Sequence, residues 1–312
     1  MKNTTKILAG VLGGGVAATL ILSNIFYNIG LKRPTQKKHK KAERSNKELA
    51  LQTKLDSYRQ WFRDQNPEKI TIESFDGLKL TGYYLPCENA KRTVICVHGY
   101  HGEGIRDFAF IGKFYYEYGS NVLVIDQRGH GESEGNYVDM GVKARFDCKQ
   151  WTELINARTN GATPIYLDGV SMGAATVLMA GGLELPDTVH GIIADCGFSS
   201  PWDQVQYACR QVFHLPVFPT AYLLNLQCRL RAGYSLREAS PAEALKNCKI
   251  PILFIHGEDD DYVPPTMSQI NYDACAGEKQ IEIVPKATHA MSYIVDTDRC
   301  NETLLNFFKK YD

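Results

Sequence analysis

Gly169-Val170-Ser171-Met172-Gly173 has the spacing that exposes a serine hydroxyl on a sharp strand-to-helix turn. Glycines two residues to either side let the chain turn where side chains would collide. Gly131-Glu132-Ser133-Glu134-Gly135 has the same form, and context separates the two. Ser171 directly follows the apolar run PIYLDGV and leads into GAATVLMAGG, whose small residues allow a helix to pack closely. Ser133 lies seven residues past its apolar run and is followed by polar loop sequence. Ser171 is therefore the expected nucleophile and Ser133 a loop residue. A serine hydroxyl needs a base to take its proton and a carboxylate to orient that base. Beyond Ser171 the credible bases are His214, His256 and His289, and the candidate carboxylates are Asp195, Asp259, Asp260 and Asp261.

Such distant side chains meet only on a rigid scaffold. The runs 93–98, 121–126, 164–170, 191–195, 251–256 and 280–285 are continuous and apolar, the mark of strands buried on both faces. Helical patterns over 105–118, 139–158, 172–183, 265–275 and 298–310 lie between or after them. That alternation predicts a parallel sheet with helices on both faces. Asp76-Gly77, between 71–73 and 78–85, predicts a hairpin ahead of it. The stretch 201–246 breaks the rhythm with aromatic, Leu and Pro residues and predicts an inserted helical cap, about 198–247. Trp202 and the other cap aromatics either line a pocket or form the core of the cap.

His98-Gly99-Tyr100, Asp126–Ser133, Gly169–Gly173 and His256–Pro264 together make residues 68–312 resemble the α/β-hydrolase superfamily. The resemblance is to the serine aminopeptidase- and esterase-like branch related to prolyl oligopeptidases. It implies a mostly parallel central sheet, helices on both faces and a small cap insertion. It implies the chain order nucleophile, acid, base. The base is then His289, four residues past the last strand run, with His214 left in the cap and His256 as a structural turn residue. The family pattern H-G-x-x-D-x-x-V-P selects Asp260, with Asp259 and Asp261 as solvated loop charges and Asp195 as an outside candidate. The implied oxyanion donors are the backbone N–H groups of Tyr100 and Met172. Asp126, Arg128 and His130 are expected to brace their loop. The chemistry implied is acyl transfer through a serine ester and calls for neither a metal nor an organic cofactor. The chain carries no propeller sequence, which favours small esters or acyl groups over peptides. A peptidase, or a non-catalytic ligand-binding protein of the same fold, are the alternatives.

The N-terminus reads differently from the rest. Ile7–Leu31 is 25 residues without a charge, about 37 Å as a helix and enough to cross a bilayer core. No small-residue cleavage site follows it, so residues 1–31 are expected to be an uncleaved membrane anchor rather than a signal peptide. Residues 32–67 are expected to be a basic linker followed by a leading helix over 47–65. Residues 1–60 hold twelve basic and three acidic side chains, whereas the remaining 252 hold 23 and 32. Positive charge just after the span predicts a cytoplasmic body on a single-pass anchor at the cell membrane. The folded part is acidic, which argues against nucleic acid as a partner. Nine scattered cysteines, odd in number and without a C-x-x-C pair, argue against a disulfide framework or a metal cluster.

Overall fold

The computed structural model describes residues 21, 23–33 and 45–312. Its centre is an eight-stranded sheet in the order β1-β2-β4-β3-β5-β6-β7-β8. The strands are β1 (Glu68–Glu73), β2 (Lys79–Leu85), β3 (Arg92–Val97), β4 (Ser120–Ile125), β5 (Ile165–Val170), β6 (Val189–Asp195), β7 (Ile252–Gly257) and β8 (Lys279–Val284). β2 pairs antiparallel with both β1 and β4, and all other neighbours are parallel.

Alternation along each strand builds two cores. Ile95 and Val97 of β3 face Trp151, Ile155, Val177 and Leu178, on helices 144–158 and 172–180. Val94 and Cys96 face the other way, onto the cluster of Phe108, Tyr115, Leu304 and Phe308 from helices 104–117 and 297–311. Helices on both faces bury β3, β4 and β7 along their whole lengths. β8 departs from the expected two-sided burial. It is an edge strand, and Lys279, Gln280 and Glu282 keep much of it solvated.

Helix 144–158 begins five residues later than its pattern suggests. The Asp139 carboxylate accepts from the backbone N–H groups of Gly141, Lys143 and Ala144, which holds residues 139–143 as a turn. The leading helix, Asn46–Asp64, opens on a capping box between Ser45 and Glu48. It is part of the body rather than of a linker: Phe62 is fully buried in the second core, and Arg59 Nε donates to the Arg106 carbonyl. Between β6 and β7 the insertion folds as helices 201–207 and 217–227, each running on into a wider turn, and then helix 241–245.

The described end of the N-terminal apolar stretch also packs on the body. Tyr27 and Leu31 are buried with Val138, Met172, Phe198 and Leu224. Lys32 bridges to Tyr137, and the Arg33 guanidinium donates to the carbonyls of Gly131, Ser133 and Gly135. A boundary between anchor and linker at residue 31 thus falls inside a packed segment. Among the described residues no helix is long and apolar enough to cross a membrane. Most of the expected span, residues 7–20 and 22, and the basic run at 37–44 lie outside the described residues.

Candidate active site

β5 ends at Val170, and helix 172–180 begins with one residue, Ser171, between them. Ser171 makes the turn with φ 56° and ψ −115°, a strained conformation for a residue with a side chain. Its N–H donates to the Asp195 carbonyl at 2.8 Å, which ties the turn to β6. The flanking glycines are steric necessities. A Cβ on Gly173 would lie 1.8 Å from the Val97 carbonyl oxygen, and one on Gly169 would lie 2.3 Å from that of Gly173.

The loop after β8 brings His289 back to this turn. His289 Nε2 is 2.9 Å from Ser171 Oγ, and its Nδ1 is 2.7 Å from Asp260 Oδ2. The carboxylate must accept at Nδ1, so Nε2 is left as an acceptor for the serine hydroxyl. Asp260 sits in the loop after β7. Its Oδ1 accepts from the N–H groups of Tyr262 and Val263 at 3.0 and 2.9 Å. Burial alone would raise its carboxyl, but hydrogen bonds from His256, His289 and the Val263 N–H hold it well below the usual carboxylate range. Asp259 and Asp261 are exposed. Asp195 is buried, its carboxyl is pushed up to about 6 by that burial, and it accepts from Ser292 Oγ rather than from His289. His214 is exposed on the cap.

The N–H of Met172 starts a buried helix beside Ser171, and that of Tyr100 lies in the loop after β3. Neither has an acceptor among the described residues. The Tyr100 hydroxyl donates to the Gly30 carbonyl at 2.6 Å, which ties this loop to the N-terminal segment. The loop 126–133 is a brace, as expected. Asp126 accepts from the Gly104 and Glu132 N–H groups. Arg128 is buried between Asp76 and Asp147. Ser133 Oγ accepts from the Thr81 N–H and donates to the Asp126 carbonyl, which removes it from chemistry.

Two cavities meet at Ser171, and both are lined by Tyr100 and Tyr262. The first holds about 250 Å³ between Ile29, Met172, Phe198, Phe213, Leu224 and Val263. The second holds about 350 Å³; its wall is largely apolar but carries the charged Arg59, Arg106 and Asp107, with Asp168 and Asp195 buried and Tyr293 half-buried. Of the cap aromatics, Phe198 and Phe213 line the apolar cavity. Trp202 instead packs edge-on against Tyr222 and under Arg237.

Three features escape a reading of the sequence. His256 is not only a turn residue: its Nε2 donates to Asp260 Oδ2 at 3.1 Å and to the Val263 carbonyl, while Nδ1 accepts from Ser268 Oγ. The four-residue spacing from His256 to Asp260 was the available signal. Cys196 Sγ lies within 4.8 Å of donor atoms of Asp260 and His289. Those two already bond to each other, and burial pushes the Cys196 thiol up, which opposes service as a thiolate metal ligand. Finally, Leu55 and Arg59 of the leading helix and Ile29 of the apolar stretch reach the cavities from regions that the sequence reads as appendages.

The family model described as serine aminopeptidase, S33, matches residues 88–223, and that of PhoPQ-activated pathogenicity-related protein matches residues 232–311. The chain is 31% identical over 246 residues to the uncharacterised protein YqkD of Bacillus subtilis, covering 79% of this chain and 80% of that one. It is 26% identical over 230 residues to the uncharacterised membrane protein YNL320W of Saccharomyces cerevisiae, covering 73% and 75%. Among solved structures, a Pyrococcus furiosus esterase superposes with a TM-score of 0.63 at 22% identity, over 80% of this chain and 93% of that one. An acylaminoacyl peptidase from Pyrococcus horikoshii gives 0.59 at 19% identity, over 78% and 41%. With its sheet order, its glycine-flanked serine turn and these relatives, the chain belongs to the α/β-hydrolase superfamily.

Proposed function

We propose that this chain is a membrane-tethered serine hydrolase that cleaves ester or acyl substrates through an acyl-enzyme. The observation that carries the reading is the His289 ring, 2.9 Å from Ser171 Oγ on one side and 2.7 Å from Asp260 on the other. Ser171 Oγ attacks the carbonyl carbon while His289 Nε2 takes its proton. The N–H groups of Tyr100 and Met172 receive the oxyanion, and Asp260 stabilises the imidazolium. His289 returns the proton to the leaving group, and water repeats the sequence to free the acid. The apolar cavity suits the acyl chain and the charged cavity the leaving group. The test is Ser171→Ala in the full chain. Turnover of a short p-nitrophenyl ester disappears, and a fluorophosphonate probe labels the parent protein but not the variant. Absence of label on the folded parent would reduce the protein to a ligand-binding member of its fold.

A peptidase is the second reading, favoured by the Asp107 carboxylate in the wall of the charged cavity, which would suit an amine. Aminoacyl p-nitroanilides measured beside the esters distinguish the two. The tether is proposed to lie in the uncharged stretch ahead of Tyr27, since Tyr27–Leu31 pack on the body, and the body is proposed to lie in the cytoplasm. Its support is the uncharged stretch and the basic run after it. Protease accessibility in intact and permeabilised cells tests the orientation.

A further inference from the structure

Large apolar side chains exposed on the described surface are concentrated in one region. Nine of the sixteen fall within residues 21–29 and 212–230. These two stretches pack side by side: Phe26 meets Phe213 edge-on at 5.0 Å, Gln227 donates to Ser23 Oγ, and Arg231 lies over the Tyr27 ring. Ile21, Ile25 and Ile29 recur every four residues, as do Tyr222, Leu226 and Leu230, so each set forms a stripe along its helix. Ile29 is 70% exposed and Leu230 77%. Scattered apolar side chains need no explanation, but a run of them on adjacent elements marks a contact surface.

Charge and chain path indicate what covers it. Between Asp203 and Glu238 the sequence has no acidic residue and four arginines, 210, 229, 231 and 237. The cap is therefore cationic on a body that is otherwise acidic. Upstream of Ile21 the sequence is uncharged back to Ile7, a composition suited to hydrocarbon. Apolar stripes flanked by arginine match the boundary between acyl chains and anionic headgroups. Ile29 and Phe213 both line the apolar cavity and are exposed on this face, so the route to Ser171 opens there.

We propose that the two stripes dock the cap into an anionic lipid leaflet, with the apolar cavity opening into it. This goes beyond a tether, which would leave the cap free in water, and it does not depend on hydrolysis. The test uses the full chain carrying Leu230→Trp, reconstituted into phosphatidylcholine vesicles with and without phosphatidylglycerol. Brominated acyl chains serve as quenchers. Ile270→Trp, at an exposed position on helix 266–274 outside the patch, is the control. The expected result is that bromolipid quenches Leu230→Trp several-fold more than Ile270→Trp, and more strongly with phosphatidylglycerol present. Equal quenching in protein that floats with the vesicles overturns the docking and leaves the tether intact. Failure to float overturns both. A Leu230→Trp emission that follows protein concentration instead of bromolipid assigns the face to a second copy and overturns the proposal.

Discussion

His256 Nε2 lies 3.1 Å from Asp260 Oδ2, the same oxygen that accepts from His289. One carboxylate oxygen thus receives two imidazoles, and the buried outer ring is itself held by Ser268. A hydrogen bond to a charged group is worth about 1.5–3 kcal/mol. His256→Ala is expected to lower kcat roughly ten- to a hundred-fold, with KM little changed. His256→Asn, which keeps a donor, is expected to recover part of it. Steady-state kinetics on one soluble ester measures both.

Asp260 carries the orientation of His289. With the carboxylate replaced by an amide, the ring loses the partner that fixes its tautomer. Asp260→Asn is expected to cost about 10⁴-fold in kcat while leaving the fold intact. Activity together with a melting curve checks this. A variant with near-parental turnover would move the acid elsewhere, with Asp195 next in line.

Burial pushes the Asp168 carboxyl up to about 7, with the Asp195 charge adding to it and the Tyr115 hydrogen bond opposing. In the unfolded chain the group titrates near 4. Between those values the folded protein holds a proton that the unfolded chain has lost, so stability falls as pH rises from about 4 to about 7. Three units correspond to about 4 kcal/mol at most. Asp168→Asn still accepts from Tyr115 and has no charge to bury. It is expected to flatten the loss of melting temperature between pH 5 and pH 8. An unchanged slope would refute the assignment.

Leu224 stands in the wall of the apolar cavity. Leu224→Trp fills space that a long acyl chain would use while leaving Ser171 and its partners untouched. Turnover of octanoyl esters is expected to drop relative to acetyl esters, seen in a chain-length profile. An unshifted profile would place the acyl chain in the charged cavity instead.

Gly173 sits against the Val97 carbonyl with no room for a methyl group. Gly173→Ala is expected to cost about 3 kcal/mol or more, because the neighbour is backbone and cannot rotate away. A thermal melt of the variant measures it.

The serine turn was legible because its requirement is local. A chain that reverses within five residues beside a strand needs glycine at 169 and 173, and those letters are visible. The strands were legible because burial on both faces demands continuous apolar sequence; edge position, which is not written in a strand, is why β8 differs. Ser133 and Ser171 could be told apart because each carries its own neighbours. The sequence by itself therefore determined the sheet, the turn and the small set of histidines and aspartates able to serve it. Only the tertiary structure decided that Asp260 binds two rings, that Trp202 turns away from the cavity while Phe213 enters it, and that Ile29 and Arg59 line the cavities beside Ser171 from what read as appendages. Those outcomes depend on contacts between residues tens to hundreds of positions apart. Residue type and local spacing constrain what a side chain can do, but the packing of distant segments selects which partner it meets.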